Sequence, residues 1–261
     1  MELKGRVALV TGSTSGIGLG IARALAARGA DLLLNGFGDA GEIEALRVQV
    51  VQRFGVRVAH SAADIAKPEQ VAAMVAQAHE AFGSLDILVN NAGVQFTAPI
   101  QDFPDEQWDR IIAINLSGAF HATKAAIPGM LARGWGRVIN IASAHGLVGS
   151  PHKVAYVAAK HGLIGLTKVA ALELADNAIT VNAICPGWVL TPLVQAQLDE
   201  HARRENTTAE ALSAAFIAEK QPMTKFTTPE QIGALAVFLC TDAATTLTGA
   251  SLPMDGGWTA R

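Results

Sequence analysis

A hydroxyl, a phenol and an ammonium group lie within eighteen residues of this 261-residue chain, at Ser143, Tyr156 and Lys160. Tyr156, the only tyrosine, precedes Lys160 by four residues in an Ala/Val-rich stretch, so on a helix both share one face. A nearby ammonium favours the phenolate and lowers the phenol pKa from about 10. Ser143 could hold a substrate oxygen against the phenol. The set predicts proton transfer at an oxygen atom; the alternative is an ordinary surface helix.

Three glycines, Gly12, Gly16 and Gly18, follow a β-branched run at residues 6–11 and precede a helical pattern at residues 19–28. A strand, a glycine turn and a helix in this order let a backbone approach a pyrophosphate at the N-terminus of the helix. The spacing is GxxxGxG instead of GxGxxG, so the prediction of a dinucleotide site depends on this context.

The cofactor preference depends on the end of the second strand, residues 31–35, where the chain continues as Gly36 and Phe37. NAD sites often place an acid near this point for the ribose, whereas an Arg accommodates the 2′-phosphate of NADP. Neither type is present. Because no basic residue occurs at Thr14, Ser15, Gly36 or Phe37, a 2′-phosphate has no partner and NAD is favoured.

Strand and helix patterns alternate along the whole chain. Further strands are predicted at residues 56–60, 86–90, 136–142, 179–184 and 248–254, and helices at 39–54, 67–82, 105–131, around Tyr156 and at 228–240. We therefore predict an α/β fold, a Rossmann-type doubly wound parallel sheet of about seven strands with helices on both faces. Residues 1–261 are expected to form a single dinucleotide-binding and catalytic domain, with a substrate lid inserted at about 189–226.

Composition narrows the class of protein. Half of the residues are hydrophobic, 16% are charged and the formal net charge is -3, so we expect neither a nucleic-acid nor a membrane partner. Cys185 and Cys240 show no CxxC spacing, and no metal site is expected. No leader pattern opens the chain and no apolar run reaches about 18 residues, so we expect the cytoplasm.

One amide interrupts an apolar helical pattern. Asn115 stands in the stretch Ile-Ile-Ala-Ile-Asn-Leu, and buried polar groups need partners. Asn115 is either a structural amide that ties a strand to a helix or a residue that positions water in a proton relay.

The combined motifs resemble the short-chain dehydrogenase/reductase family over essentially the whole chain. They are Gly12-x-x-x-Gly16-x-Gly18, Asn90-Asn-Ala-Gly93, Asn115, Ser143, Tyr156-x-x-x-Lys160 and Pro186-Gly187. The resemblance implies that Tyr156 is the general base in alcohol oxidation and that Ser143 binds the reacting oxygen. It also implies that Lys160 lowers the Tyr156 pKa and binds the nicotinamide ribose, and that Asn115 holds a relay water.

The same resemblance implies an NAD site. Its residues are Gly12, Thr14, Ser15, Gly16, Ile17, Gly18, Phe37, Asp64, Ile65, Asn91, Ala92, Gly93, Tyr156, Lys160, Pro186, Gly187, Val189 and Thr191.

More narrowly, several segments are similar to the branch of this family that interconverts (R)-3-hydroxybutyrate and acetoacetate, and so imply a small anionic substrate. Its carboxylate is expected among Gln95, His145, Lys153 and Gln197, with Trp258 closing a pocket that also contains Ser143 and Tyr156. Charge-assisted hydrogen bonds suit a ligand with so little apolar area. Alternatively, Lys153 is a solvated cation, His145 a satisfied turn residue and Gln197 a surface amide.

Departures from the family pattern bear on substrate range: Phe96 and Leu190 replace a His and an Arg, and Pro151 precedes Lys153. The alternative enzyme is a reductase of 3-oxoacyl thioesters or of a sugar that uses NADP(H), and a remote alternative is a nucleotide-sensing binding protein.

The resemblance also implies a homo-oligomer, a tetramer whose helices around Asn115 and Tyr156 pack across subunits.

Overall fold

The computed structural model describes residues 2–260, except for the side chains of Leu193, Gln197, His201 and Glu210. Seven parallel strands form one sheet in the order β3-β2-β1-β4-β5-β6-β7. They are β1 (Val7–Val10), β2 (Asp31–Asn35), β3 (Val58–Ser61), β4 (Ile87–Asn90), β5 (Gly136–Ile141), β6 (Ile179–Pro186) and β7 (Ser251–Met254). The strand order reverses between β1 and β4, which opens a crevice at their carboxyl ends. The predicted doubly wound sheet is confirmed.

Short apolar strands are buried on both faces of this sheet. In β1 the side chains of Ala8 and Val10 join one core cluster, and Leu9 joins the other. Successive side chains of a strand point to opposite faces, so a strand covered by helices on both sides needs a continuous apolar run.

Helices cover the two faces separately. On one face lie α1 (Gly16–Ala27), α2 (Ala40–Phe54) and α9 (Pro229–Phe238). On the other lie α3 (Pro68–Phe82), α5 (Gly118–Arg133) and α6 (Val154–Leu174). The shorter α4 (Asp105–Ile112) packs against α6 through Ile111, Ala155 and Ala159.

The helix predicted over residues 105–131 is not continuous. A π-helical turn, Ala113–Ser117, separates α4 from α5 and contains Asn115. Such turns are rare and are often found at functional sites. The periodicity of the sequence does not reveal the extra residue in this turn, because the apolar pattern continues through it.

The segment between β6 and α9 contains two helices, α7 (Pro192–Glu205) and α8 (Ala209–Ala218). The helix predicted at residues 228–240 is confirmed: Thr228 and Gln231 form a capping box at the start of α9, with Pro229 in the first turn. Across the described part of the chain, no helix is long and apolar enough to cross a bilayer.

Candidate active site

The turn after β1 has no room for side chains. Gly12 and Gly16 adopt φ values of +61° and +56°, which glycine tolerates best. A Cβ at Gly18 would overlap the carbonyl oxygen of Gly12 and lie 2.5 Å from Nδ2 of Asn91. The side chain of Ser15, the N-cap of α1, makes no capping hydrogen bond. The first N–H groups of α1 therefore remain available, and these residues fit a pyrophosphate.

The end of β4 braces this turn from the other side of the crevice. Nδ2 of Asn91 donates to the carbonyl oxygens of Thr11 at 2.9 Å and Gly12 at 3.0 Å. Oγ1 of Thr11 accepts hydrogen bonds from the backbone N–H groups of Asn91 and Ala92, both at 2.9 Å. These four bonds fix the distance between the glycine turn and residues 91–93.

The loop after β2 forms the far end of the crevice. Oδ1 of Asn35 accepts a hydrogen bond from the N–H of Gly12 at 3.2 Å, and its Nδ2 donates to two further backbone carbonyls. A Cβ at Gly36 would lie 2.7 Å from Oγ1 of Thr14. The Phe37 ring is exposed. The cations that line the crevice among the described residues are Arg110, Lys153 and Lys160, and none belongs to this loop.

Ser143, Tyr156 and Lys160, the predicted set for proton transfer at an oxygen atom, converge at the carboxyl end of β5. Ser143 lies two residues after this strand and is buried. Its Oγ accepts a hydrogen bond from the N–H of His145 at 3.1 Å, and its side chain faces that of Tyr156 closely enough to lower the pKa of the phenol. Nζ of Lys160 donates to the carbonyl oxygen of Ile141 at 2.7 Å and lies 5.6 Å from the centre of the Tyr156 ring. The structure therefore brings the phenol, the hydroxyl and the ammonium into one site.

The pKa of Tyr156 moves in the direction opposite to the expectation. Burial raises the pKa of this phenol, and the hydrogen bond with Ser143 lowers it by less. Burial also lowers the pKa of Lys160 to about 8. Desolvation dominates because both groups are enclosed by the protein. The net shift of the Tyr156 pKa is therefore upward and not downward as expected, so burial favours the neutral phenol.

Asn115 uses its side-chain amide to hold the loop that follows β4. Its Oδ1 accepts from the N–H of Val94 and its Nδ2 donates to the carbonyl oxygen of Val94, both at 2.9 Å. These bonds correspond to the structural role that the sequence offered for Asn115 as the alternative to positioning water. An amide has further hydrogen-bonding capacity, so its role in a water relay stays a prediction.

His145 lies beside the catalytic group without a full set of partners. The side chain is buried, its ring centre is 5.9 Å from that of Tyr156 and 4.8 Å from that of Trp258, and Nε2 has no hydrogen-bond partner. Burial and the positive charges of Lys153 and Lys220 lower its pKa to about 4. The imidazole is therefore neutral near pH 7, and it is only half satisfied, because Nδ1 lies 3.4 Å from Oγ of Ser143 while Nε2 has no partner.

Lys153 brings a positive charge to the side of the cleft that contains His145. It is the N-cap residue of α6, and its Nζ lies 5.7 Å from the centre of the Trp188 ring. Burial and the charge of Lys220 lower its pKa. A partly buried cation gains from an anionic partner, so this wall suits a carboxylate.

The predicted residues line one cleft of about 1100 Å³. From both predicted sets the cleft includes Gly12, Thr14, Ser15, Gly16, Ile17, Phe37, Asp64, Ile65, Asn91, Ala92, Gly93, Gln95, Ser143, His145, Lys153, Tyr156, Lys160, Pro186, Gly187, Val189, Thr191 and Trp258. Gly18 packs behind the turn against Gly12, and Asn115 supports Val94. The Gln197 side chain lies outside the described residues.

Several lining residues were not predicted, among them an arginine and a tryptophan. Arg110 reaches the cleft from α4, and Trp188 follows the Pro186-Gly187 pair. Nε1 of Trp188 is buried without a hydrogen-bond partner. The sequence could have indicated Trp188 as a lining residue, because it lies just after the end of β6 and ligands bind at such ends in parallel sheets. Within residues 2–260, no group of three or more His, Cys, Asp or Glu residues could hold a metal ion.

Comparison with known proteins defines the class. A family model described as enoyl-(acyl carrier protein) reductase matches residues 12–259. Together with the fold, the glycine turn and the Ser143, Tyr156 and Lys160 set, this match shows that the chain belongs to the short-chain dehydrogenase/reductase family.

Individual relatives are similar over their full length. The chain is 56% identical to a D-beta-hydroxybutyrate dehydrogenase of Cupriavidus necator over 259 residues, which are 99% of this chain and 100% of the relative. It is 55% identical to a D-beta-hydroxybutyrate dehydrogenase of Rhizobium meliloti, with 98% and 99% coverage. Among solved structures, L-sorbose reductase of Gluconobacter frateurii, complexed with NADPH and L-sorbose, superposes with a TM-score of 0.95 at 33% identity and 100% coverage of both chains.

Proposed function

We propose that this oxidoreductase interconverts (R)-3-hydroxybutyrate and acetoacetate with NAD. One observation carries the proposal: Lys153 and the unpartnered Nε2 of His145 line the same cleft as Ser143 and Tyr156. A cation beside a free ring nitrogen suits a carboxylate, and a phenol beside a serine suits the reacting oxygen. The two relatives named D-beta-hydroxybutyrate dehydrogenase support the same substrate.

In the oxidative direction Tyr156 removes the proton of the substrate hydroxyl, and Ser143 holds that oxygen by a hydrogen bond. When held by the glycine turn and residues 91–93, NAD would supply the acceptor for the hydride on the carbon that carries this oxygen. In the reverse direction the Tyr156 phenol returns a proton to the carbonyl oxygen of acetoacetate. Positioned acid–base groups of this kind contribute about 10²–10⁴-fold to the rate. Lys160 stabilises the phenolate and binds the cofactor ribose, while Asn115 holds a relay water.

The substrate carboxylate is held away from the reacting oxygen. Lys153 supplies the charge, His145 donates from Nε2 in its neutral form, and Gln95 adds a donor. Trp258 packs against His145 and closes the pocket. Gln197 is included among the residues that bind the carboxylate only because the sequence resembles the family. The segment 189–226 acts as the lid of the pocket.

The preference for NAD rests on the loop after β2. Thr14, Gly36 and Phe37 offer no positive charge to a 2′-phosphate, and Nε2 of His60 already binds the carbonyl oxygen of Gly36 at 3.0 Å. Desolvating a phosphate dianion without a partner is unfavourable. We therefore propose that NADP is a poor substitute.

A sugar reductase that uses NADPH is the second candidate, favoured by the TM-score of 0.95 with L-sorbose reductase. The charge of the pocket separates the two. A polyol needs many neutral hydrogen-bonding groups, whereas this part of the cleft combines the positive charge of Lys153 with a neutral hydrogen-bond donor at His145. The lower identity of 33% to that enzyme also favours the hydroxy acid.

We further propose a homo-oligomer, a tetramer, in the cytoplasm. Helices α5 and α6 leave large apolar side chains exposed: Phe120, Leu131, Val169 and Leu172. Contiguous exposed apolar side chains on a folded protein favour association. Size-exclusion chromatography with light scattering should give four times the chain mass of 27.2 kDa; a monomer would contradict this.

The test of the function is the initial rate of NADH formation at 340 nm. We expect fast turnover with (R)-3-hydroxybutyrate and NAD, and rates lower by about 10²-fold or more with the (S) enantiomer or with NADP. The (S) enantiomer directs its transferable hydrogen away from the cofactor when its hydroxyl and carboxylate are bound, and NADP adds a phosphate without a partner. Efficient reduction of L-sorbose with NADPH and no oxidation of (R)-3-hydroxybutyrate would support the second candidate instead.

A further inference from the structure

A fully buried glutamine joins the lid segment to the wall of the substrate pocket. Gln221 follows α8 and is 1% exposed. Its Oε1 accepts a hydrogen bond from the N–H of Trp188 at 2.6 Å. Its Nε2 lies within hydrogen-bond distance of the carbonyl oxygens of Met223, at 3.4 Å, and Lys225, at 3.3 Å. One side chain therefore connects the loop after β6 with the segment that follows α8.

Two glycines make room for this amide. A Cβ at Gly187 would overlap Oε1 of Gln221, and a Cβ at Gly256 would lie 2.7 Å from its Nε2. Gly256 also accepts a backbone hydrogen bond from Met223 at 3.0 Å. The amide thus lies where the loop after β6, the end of the lid segment and the C-terminal turn meet.

Gln221 binds Trp188, and a series of ring contacts connects Trp188 with Tyr156. The Trp188 ring centre is 4.4 Å from that of Phe216 in α8 and 6.3 Å from that of Trp258. Trp258 contacts His145, which contacts Tyr156. Nζ of Lys153 lies 5.7 Å from the centre of the Trp188 ring. The position of Trp188 thus affects both the lid and the charged wall.

We propose that Gln221 is a positioning residue for the substrate pocket: it holds Trp188 against α8, so that the aromatic wall beside Lys153 is formed before substrate binds. The kinetic part of this proposal rests on the proposed oxidation of 3-hydroxybutyrate. Gln221 touches neither the phenol nor the glycine turn. Its loss should therefore weaken substrate binding more than the chemical step or cofactor binding.

Gln221→Leu is the first variant, because leucine fills the space but leaves the Trp188 N–H and two carbonyls without the amide. We expect the KM for (R)-3-hydroxybutyrate to rise about tenfold, with kcat and the KM for NAD changed less than about threefold. Gln221→Glu keeps the acceptor for Trp188, but only its protonated form can donate to the carbonyls. Its KM should therefore approach the unsubstituted value as the pH falls from about 8 to about 5.5.

Gln231→Ala is the matched control, since it removes a glutamine side chain that caps α9. It should lower Tm without changing the KM for the hydroxy acid. A KM increase of the same size in Gln231→Ala, or an unchanged KM in Gln221→Leu, would overturn the proposal.

A second readout does not depend on the substrate. In a Trp108→Phe background, which removes a partly exposed indole, Gln221→Leu should increase acrylamide quenching of the remaining tryptophans about twofold or more, because Trp188 loses its tether. Unchanged quenching would contradict the placement of Gln221. If the unsubstituted enzyme does not oxidise (R)-3-hydroxybutyrate, the proposed function fails, while this readout still decides the role of Gln221.

Discussion

The two halves of the cleft are built differently. The half that fits a dinucleotide consists mainly of backbone: the turn at Gly12 and Gly16, the first turn of α1, and the bracing bonds of Asn91. The half proposed for the substrate consists of side chains from separate elements, with buried polar atoms of His145 and Trp188 left without partners. In the first half the backbone and its bracing bonds fix where the free N–H groups of α1 lie, whereas the second half is positioned by contacts between separate elements.

This difference implies that substitutions in the two halves have separable effects. Changes in the backbone half should reduce cofactor affinity, and changes in the side-chain half should alter substrate affinity. Changes at Tyr156, where both halves meet, should reduce the chemical step itself. Three substitutions and one pH profile test this separation.

The largest effect is expected for Tyr156→Phe. Removing the phenol oxygen removes the proton acceptor, so kcat for oxidation should fall about 10³-fold. The Kd for NADH, measured by fluorescence titration, should change less than about threefold because the ring remains in place. Retention of more than about a tenth of the kcat would show that another group transfers the proton.

Lys153→Met should raise the KM for (R)-3-hydroxybutyrate by about 30-fold or more, because a charge-assisted contact worth about 2 kcal/mol is lost. The KM for NAD should stay within about twofold. Lys4→Met, which removes an exposed lysine near the start of the chain, is the control and should change neither constant. An unchanged substrate KM in Lys153→Met would place the carboxylate elsewhere.

A smaller effect is expected in the backbone half, for Gly12→Ala. The new Cβ meets Cα of Ala92 at 3.0 Å in addition to the strain of the positive φ, so the Kd for NADH should rise about tenfold. Gly55→Ala is the matched control: its φ is +67° and no atom lies within 4 Å of the new Cβ. Both variants should lose about 1–2 kcal/mol of stability through strain. If both lost NADH affinity equally, the close approach to Ala92 would not matter.

The pH dependence separates the chemical step from substrate binding. The oxidative reaction needs the ionised phenol, and burial raises the pKa of Tyr156, so kcat should increase with pH across the alkaline range. Lys153 binds the anion only when protonated, and its pKa is lowered, so the substrate KM should also rise as the pH increases. In Lys153→Met the rise in KM should disappear while the rise in kcat remains.

Sequence patterns predicted the backbone half better than the side-chain half, for a physical reason. A strand, a glycine turn and a helix are local, and the spacing of Gly12, Gly16 and Gly18 encodes their geometry directly. The α9 capping box at Thr228 and Gln231 was predictable for the same reason.

The side-chain half depends on contacts between distant segments. Trp188 and Gln221 meet across 33 positions, and no local period indicates that pair. The direction of the Tyr156 pKa shift also failed, because the i, i+4 spacing to Lys160 predicts proximity but not the burial that opposes ionisation. The π-helical turn at Asn115 was missed because an inserted residue does not disturb the apolar pattern.

The most direct test of the account is the ratio of kcat/KM for (R)-3-hydroxybutyrate to that for its methyl ester, measured with NAD at neutral pH. The ester keeps the reacting hydroxyl and the chirality but removes the negative charge. We predict a ratio of about 10² or more that falls to near unity in Lys153→Met, because the charge is recognised by that residue. Equal kcat/KM values for the acid and its ester in the unsubstituted enzyme would contradict the central claim that this half of the cleft selects a small anion.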